Sequence, residues 1–159
     1  MDKRARILVV DDDEGIRKVL ATILEDEGFT VDTAENGKTA IKKTNEKFYN
    51  VALIDIRLPD MEGTELLTKL KDTTPKMRKI MVTGYPSLQN AVEALNKGAH
   101  AYIVKPFDVK KVIAVIREQL QKQQEEKEYS QEKVKEFIET RVRELEEELE
   151  EEKPATSKK

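Results

Sequence analysis

The chain of 159 residues has no cysteine, no tryptophan, six glycines and a single histidine, His100. Without cysteine there is no disulfide scaffold, no thiolate metal site and no cysteine nucleophile. No run approaches the ~20 apolar residues that a membrane span needs, and no apolar stretch follows a basic start. The chain is therefore expected in the cytoplasm. A basic face is missing too. The first 120 residues carry 20 Lys and Arg against 19 Asp and Glu, and the remaining 39 carry 9 against 13. A nucleic-acid binder needs clustered positive charge, so no direct contact with nucleic acid is expected. Total charge is not scarce. Charged and hydrophobic residues each make up 38% of the chain, and the acidic excess lies in a Glu-rich end.

Up to about residue 120 the sequence alternates between two patterns. Short β-rich runs occur at 6–10, 29–34, 51–55, 79–83 and 101–105. Amphipathic helical patterns lie between and after them. The first carries the stripe Ile16, Val19, Leu20, Ile23 and Leu24; the others fall at 37–47, 64–72, 88–97 and 109–120. Five strands alternating with five helices predict an α/β fold, a doubly wound, five-stranded parallel sheet covered on both faces. The runs "ILVV" and "VALI" are apolar throughout, as strands buried on both faces must be. Gly28 and Gly98 stand at expected helix ends.

In such a sheet, ligands bind beyond the carboxyl ends of the strands, where strand order reverses. The residues expected there carry chemistry. The first strand ends in Asp11-Asp12-Asp13, the third in Asp55, the fourth in Thr83 and the fifth in Lys105. Each has an ordinary reading alone. Asp13 suits a helix N-cap, Asp55 a turn, Thr83 a strand preference and Lys105 a solvated strand end. Together they gather carboxylates, a hydroxyl and an ammonium on one edge. Carboxylates without thiolate or imidazole partners select a hard cation such as Mg2+. An aspartate beside that cation can attack phosphorus. A lysine offsets charge on the phosphoryl oxygens.

"ILVVDDDEGIR", "ALIDIRLPDMEG", "MVTGY" and "GAHAYIVKPF" resemble, in order and spacing, the receiver domain of response regulators, the CheY-like domain of two-component signalling. The resemblance implies strand order 2-1-3-4-5, with a receiver domain over residues 1–121. It implies phosphorylation of Asp55 by a histidine kinase and Mg2+ held by Asp11, Asp12, Asp55 and the backbone carbonyl of Arg57. Lys105 contacts the phosphoryl group, and Thr83 and Tyr102 form the switch. A cis peptide is expected at Lys105–Pro106. Slow loss of the phosphoryl group is also expected, because bulky Arg57 and Tyr85 lie two residues past Asp55 and Thr83. On this reading the protein is not an enzyme beyond its own phosphorylation and dephosphorylation. His100 reads as a loop residue. Two other readings stand beside this one. One is a haloacid-dehalogenase-like phosphatase with Asp11 as nucleophile; the other is a non-catalytic scaffold acting through the C-terminal helix.

Residues 122–153 form a helical, coiled-coil-like extension in this reading, and 154–159 a disordered tail. Apolar residues Val134, Ile138, Val142, Leu145 and Leu149 recur at spacings of four and three, a seam of about two heptads. One helix is expected to run on past the domain. The polar stretch "QKQQEEKE" just beyond Leu120 is expected to lie outside the core. A homodimer is expected through the seam or through the face spanned by 88–120. Both a stand-alone receiver and the front of a longer regulator fit this sequence.

Overall fold

A computed structural model describes residues 4–152. Its elements are β1 Arg6–Val10, α1 Glu14–Asp26, β2 Thr30–Ala34, α2 Gly37–Glu46, β3 Val51–Asp55, α3 Gly63–Lys69, β4 Arg78–Thr83, α4 Leu88–Asn96, β5 Ala101–Val104 and α5 Val109–Glu151. The five strands form one sheet in the order β2-β1-β3-β4-β5, and every pairing is parallel. The expected fold class and strand order are observed. Strand order reverses between β1 and β3, where Val10 lies opposite Ile54. A crevice is therefore required just beyond these two residues.

Side chains alternate between the faces of a strand, and here both faces are apolar. Leu8, Val10, Ala52, Ile54 and Met81 face one core with Ala40, Leu66, Leu67 and Ala94 of α2, α3 and α4. Ile7, Val9, Val51, Leu53, Ile80 and Val82 face the other, with Leu20 and Leu24 of α1 and Val112 and Ile116 of α5. Of the expected α1 stripe, Leu20 and Leu24 are buried, but Val19 is 54% exposed. The apolar stripe is wider than the surface that covers it.

Local chemistry sets the helix ends. Asp13 accepts the Ile16 N–H (3.1 Å), Asn36 the Thr39 N–H (2.8 Å) and Ser87 the Asn90 N–H (3.0 Å). Each cap is worth about 1 kcal/mol. Gly28 and Gly98 close α1 and α4 at φ 98° and 107°, where a Cβ would be strained. The third helix is shorter than its pattern: it ends at Lys69 because Leu70 turns to extended backbone and enters the core. The Lys105–Pro106 peptide is cis as expected; Thr74–Pro75 is also cis, which the sequence reading did not anticipate. His100 lies in the loop before β5, where its N–H donates to Lys79 O (2.7 Å) and its Nδ1 accepts the Lys79 N–H (3.0 Å).

The chain divides into two compact units after Gln123. The polar stretch past Leu120 corrects one expectation, because Gln123 is buried, at 4% exposure. Its Nε2 donates to Lys76 O (2.8 Å) and Asn50 O (3.1 Å), and its Oε1 accepts from Asn50 Nδ2 (3.0 Å). A primary amide can enter a core when its donors and acceptor are met, and pattern reading by polarity misses this. In the second unit the apolar side chains of the helix are exposed. The expected tail at 154–159 lies outside the described residues. Among the described residues, no helix is long and apolar enough to cross a membrane.

Candidate functional site

The crevice at the β1–β3 switch point is lined by the strand-end residues singled out in the sequence. Carboxylate oxygens of Asp11, Asp12 and Asp55 lie within 4.8 Å of one another. Asp13, the third of the triplet, caps α1 instead. Lys105, just past β5, reaches across the sheet edge. Its Nζ sits 3.0 Å from Asp11 Oδ2 and 3.1 Å from Asp55 Oδ2. Asp11 Oδ1 accepts the Asp13 N–H at 2.9 Å, and Asp55 Oδ1 the Arg57 N–H at 3.3 Å. Arg17, one turn into α1, donates from Nη1 to Asp11 O at 2.8 Å.

Burial dominates the electrostatics. Asp11 is 3% exposed, and loss of water raises its carboxyl above the ordinary value. The Asp13 N–H and Lys105 pull it down, and the Asp55 charge adds to the rise. Burial also opposes the charge on Lys105, but Asp11 and Asp55 together outweigh it and hold the ammonium above its usual range. The partners thus point opposite ways. Lys105 gains from the bridge, while Asp11 carries a charge that its surroundings only partly offset. Three carboxylates against one ammonium leave an all-oxygen pocket with surplus negative charge. That donor set fits a hard divalent cation.

The loop after β3 is held close. Gly63 N–H donates to Ile56 O at 2.6 Å. A Cβ on Gly63 would lie 2.9 Å from Ile56 Cα and Met81 Cε and would collide with the carbonyl oxygen of Asp55. Asp60 in this loop caps a different helix: its carboxylate accepts the N–H groups of Gly37 and Lys38, both at 2.9 Å. These bonds hold the exposed carboxyl of Asp60 below its ordinary value. Sequence reading missed both residues. The signal available was "DMEG", an acid and a glycine closing the loop that follows the third strand.

Thr83, at the end of β4, is fully buried, and its Oγ1 accepts the Tyr85 N–H at 2.9 Å. A hydroxyl that accepts can still donate. Tyr85 is held twice more: its carbonyl accepts from Asn90 Nδ2 (3.0 Å), and the Arg57 guanidinium lies 4.1 Å from its ring centroid. Tyr102 is half-buried against the core, and its hydroxyl is buried without a partner among the described residues.

The family model of the response regulator receiver domain matches residues 7–117, most of the chain. The chain is a response regulator receiver. Over 123 residues the receiver is 37% identical to the regulatory protein AtoC of Escherichia coli (strain K12), which covers 77% of this chain and 27% of that protein. It is 36% identical over 126 residues to the DNA-binding transcriptional regulator NtrC of the same strain, covering 79% and 27%. It thus spans about a quarter of the length of these relatives. Among solved structures, a CheY-like receiver domain protein from Methanospirillum hungatei JF-1 superposes with a TM-score of 0.75 at 48% identity, covering 78% of this chain and 99% of that one. The beryllofluoride-activated NtrC4 receiver domain dimer superposes at 0.70 with 37% identity, covering 74% and 98%. Receivers of this family are signalling switches of two-component systems.

Proposed function

We propose that Asp55 accepts a phosphoryl group from a histidine kinase, and that this chemistry is the chain's only catalysis. The observation that carries the reading is the Lys105 ammonium shared between Asp11 and Asp55 beside Asp12. A carboxylate oxygen of Asp55 forms the new bond to phosphorus, the bond from phosphorus to the donor's imidazole nitrogen breaks, and the imidazole leaves as a neutral base once protonated. Asp11, Asp12, Asp55 and the Arg57 carbonyl would hold Mg2+. When bound, the ion supplies positive charge that offsets the phosphoryl oxygens. Lys105 would move its contact from the carboxylates to one of these oxygens.

Thr83 would then donate its hydroxyl to another phosphoryl oxygen, which draws the end of β4 and Tyr85 inward. Tyr102 follows as the second switch residue. Its support is the buried hydroxyl without a partner among the described residues, because such a group favours a rearrangement that satisfies it. The exchange is assigned to the cytoplasm on the family's behaviour. Receiver domain boundaries at residues 1 and 121, followed by a helical extension, belong to the same reading. The apolar face of Leu88, Val92 and Leu95 on α4 is exposed and available for a partner that senses the switch.

The test is phosphoryl uptake from a small phosphodonor or a phosphorylated histidine kinase with Mg2+, read by intact mass. Uptake at one site in the native protein, none in Asp55→Asn and none with chelator is the expected result. Continued single-site uptake in Asp55→Asn overturns the assignment. Uptake lost in Asp11→Asn but kept in Asp55→Asn would favour a phosphatase built on Asp11. No uptake in any form would favour the scaffold reading.

A further inference from the structure

The phosphorylation site makes no use of the second unit, and that unit carries its own pattern. Val134, Ile138, Val142, Leu145 and Leu149 are all exposed, at 58%, 54%, 50%, 42% and 66%. A helix that turns large apolar side chains to water along one stripe lacks a partner. From Ile138 to Leu149 the spacings of four, three and four fit the heptad seam, with Ile138 and Leu145 at d and Val142 and Leu149 at a. The residues flanking that seam then have fixed places. Glu139 and Glu146 fall at e, and Arg141 and Glu148 at g.

We propose that this stripe binds a second copy of the same chain as a parallel, in-register two-stranded coiled coil over residues 138–149. Charge selects both the occupant and its direction. In a parallel pair, g faces the e position of the next heptad on the other helix, so Arg141 meets the partner's Glu146, twice by symmetry. In an antiparallel pair e faces e and g faces g, so Glu139 meets the partner's Glu146 and Arg141 meets the partner's Glu148, each twice. The first arrangement has only attractive pairs, whereas in the second two repulsive pairs offset the two attractive ones, so charge favours the parallel pair. Val142 at a with Leu145 at d favours two strands, and Ile138 at d with Leu149 at a opposes that preference. Within one chain Arg141 Nη1 lies 3.9 Å from Glu148 Oε1, a long and exposed ion pair that is easily exchanged.

The remaining glutamates set the strength. Residues 124–152 carry 13 Glu against five Lys and Arg, so two such helices repel overall. Association should therefore tighten as salt screens that repulsion.

Sedimentation equilibrium of the full chain tests the proposal. The native protein should reach dimer mass, and more readily at higher salt. Ile138→Glu with Leu145→Glu should return it to monomer with the receiver's fold intact by circular dichroism. Glu146→Lys alone should weaken the dimer about tenfold, because two attractive pairs become repulsive. Adding Arg141→Glu to it should restore the native affinity. A native chain that stays monomeric to its solubility limit overturns the proposal. So does a dimer that survives the double glutamate change, which would place the contact on another face. A dimer tightened by Glu146→Lys overturns the parallel arrangement. None of these readouts depends on whether Asp55 is phosphorylated.

Discussion

Lys105 Nζ lies 3.0 Å from Asp11 Oδ2, yet burial still holds the Asp11 carboxyl above its ordinary value. An ammonium shared with Asp55 does not fully offset the loss of water around Asp11. A carboxyl raised in the folded state destabilises the fold while it is charged. Stability therefore rises as pH falls through the raised value, and the gain is complete only below the unfolded value of 3.8. Asp11→Asn should remove this component, with Lys105 keeping Asp55 as its partner. The expected result, with chelator present, is a higher Tm than native at neutral pH and a flatter Tm-against-pH curve below it. An unchanged curve would show that Asp11 carries no such cost.

The Arg57 guanidinium and the Tyr85 ring, 4.1 Å apart, form one stack two residues beyond the ends of β3 and β4. Two bulky groups in contact should shield the phosphoryl group from water as a unit. The phosphorylated protein is expected to lose its label slowly, over minutes or longer. Arg57→Ala and Tyr85→Ala should each speed the loss, and the double variant should gain less than the product of the two. Decay within seconds in the native protein, or fully multiplicative effects, would count against a shared shield.

Gly63→Ala tests the close approach of α3 to Asp55. A Cβ there collides with backbone, so the loop must shift; a cost of about 1–3 kcal/mol and slower phosphorylation are expected. Gly84→Ala is the contrast, since its Cβ would come no closer than 3.9 Å to Lys105. Equal denaturation midpoints for the two variants would contradict the geometry.

Gln123→Ala removes a buried amide and takes the partner from Asn50 Nδ2 and Lys76 O. A loss of about 1–3 kcal/mol is expected by urea denaturation. Lys122→Ala, one residue away and exposed, should change little. Similar midpoints for both would mean that α5 ends its structural role before Gln123.

The fold was legible because its two signals are periodic. Strands such as 51–55 are apolar on both faces, and the helices between them repeat at 3.6 residues. The strand-end residues were legible because topology alone brings Asp11, Asp55 and Lys105 to one edge. What escaped depends on atoms, not on pattern. Gln123 reads as polar and exposed until its amide is seen to meet two carbonyls and a side chain. Asp60 reads as a loop acid until it is found capping α2 from 22 and 23 residues away. Val19 has the right spacing for a core face and lies outside it, because the stripe is wider than the cover.

The loop after β3 is fastened at every stage of its course. Leu58 N–H donates to Met61 O (3.1 Å), Gly63 N–H donates to Ile56 O (2.6 Å), and the Asp60 carboxylate accepts from the N-terminus of α2. A loop held this way has surrendered its freedom once, during folding. It has little left to lose each time a phosphoryl group arrives and departs. A switch that must be thrown many times in the life of one molecule thereby resets against a frame that does not need to be rebuilt at each turn.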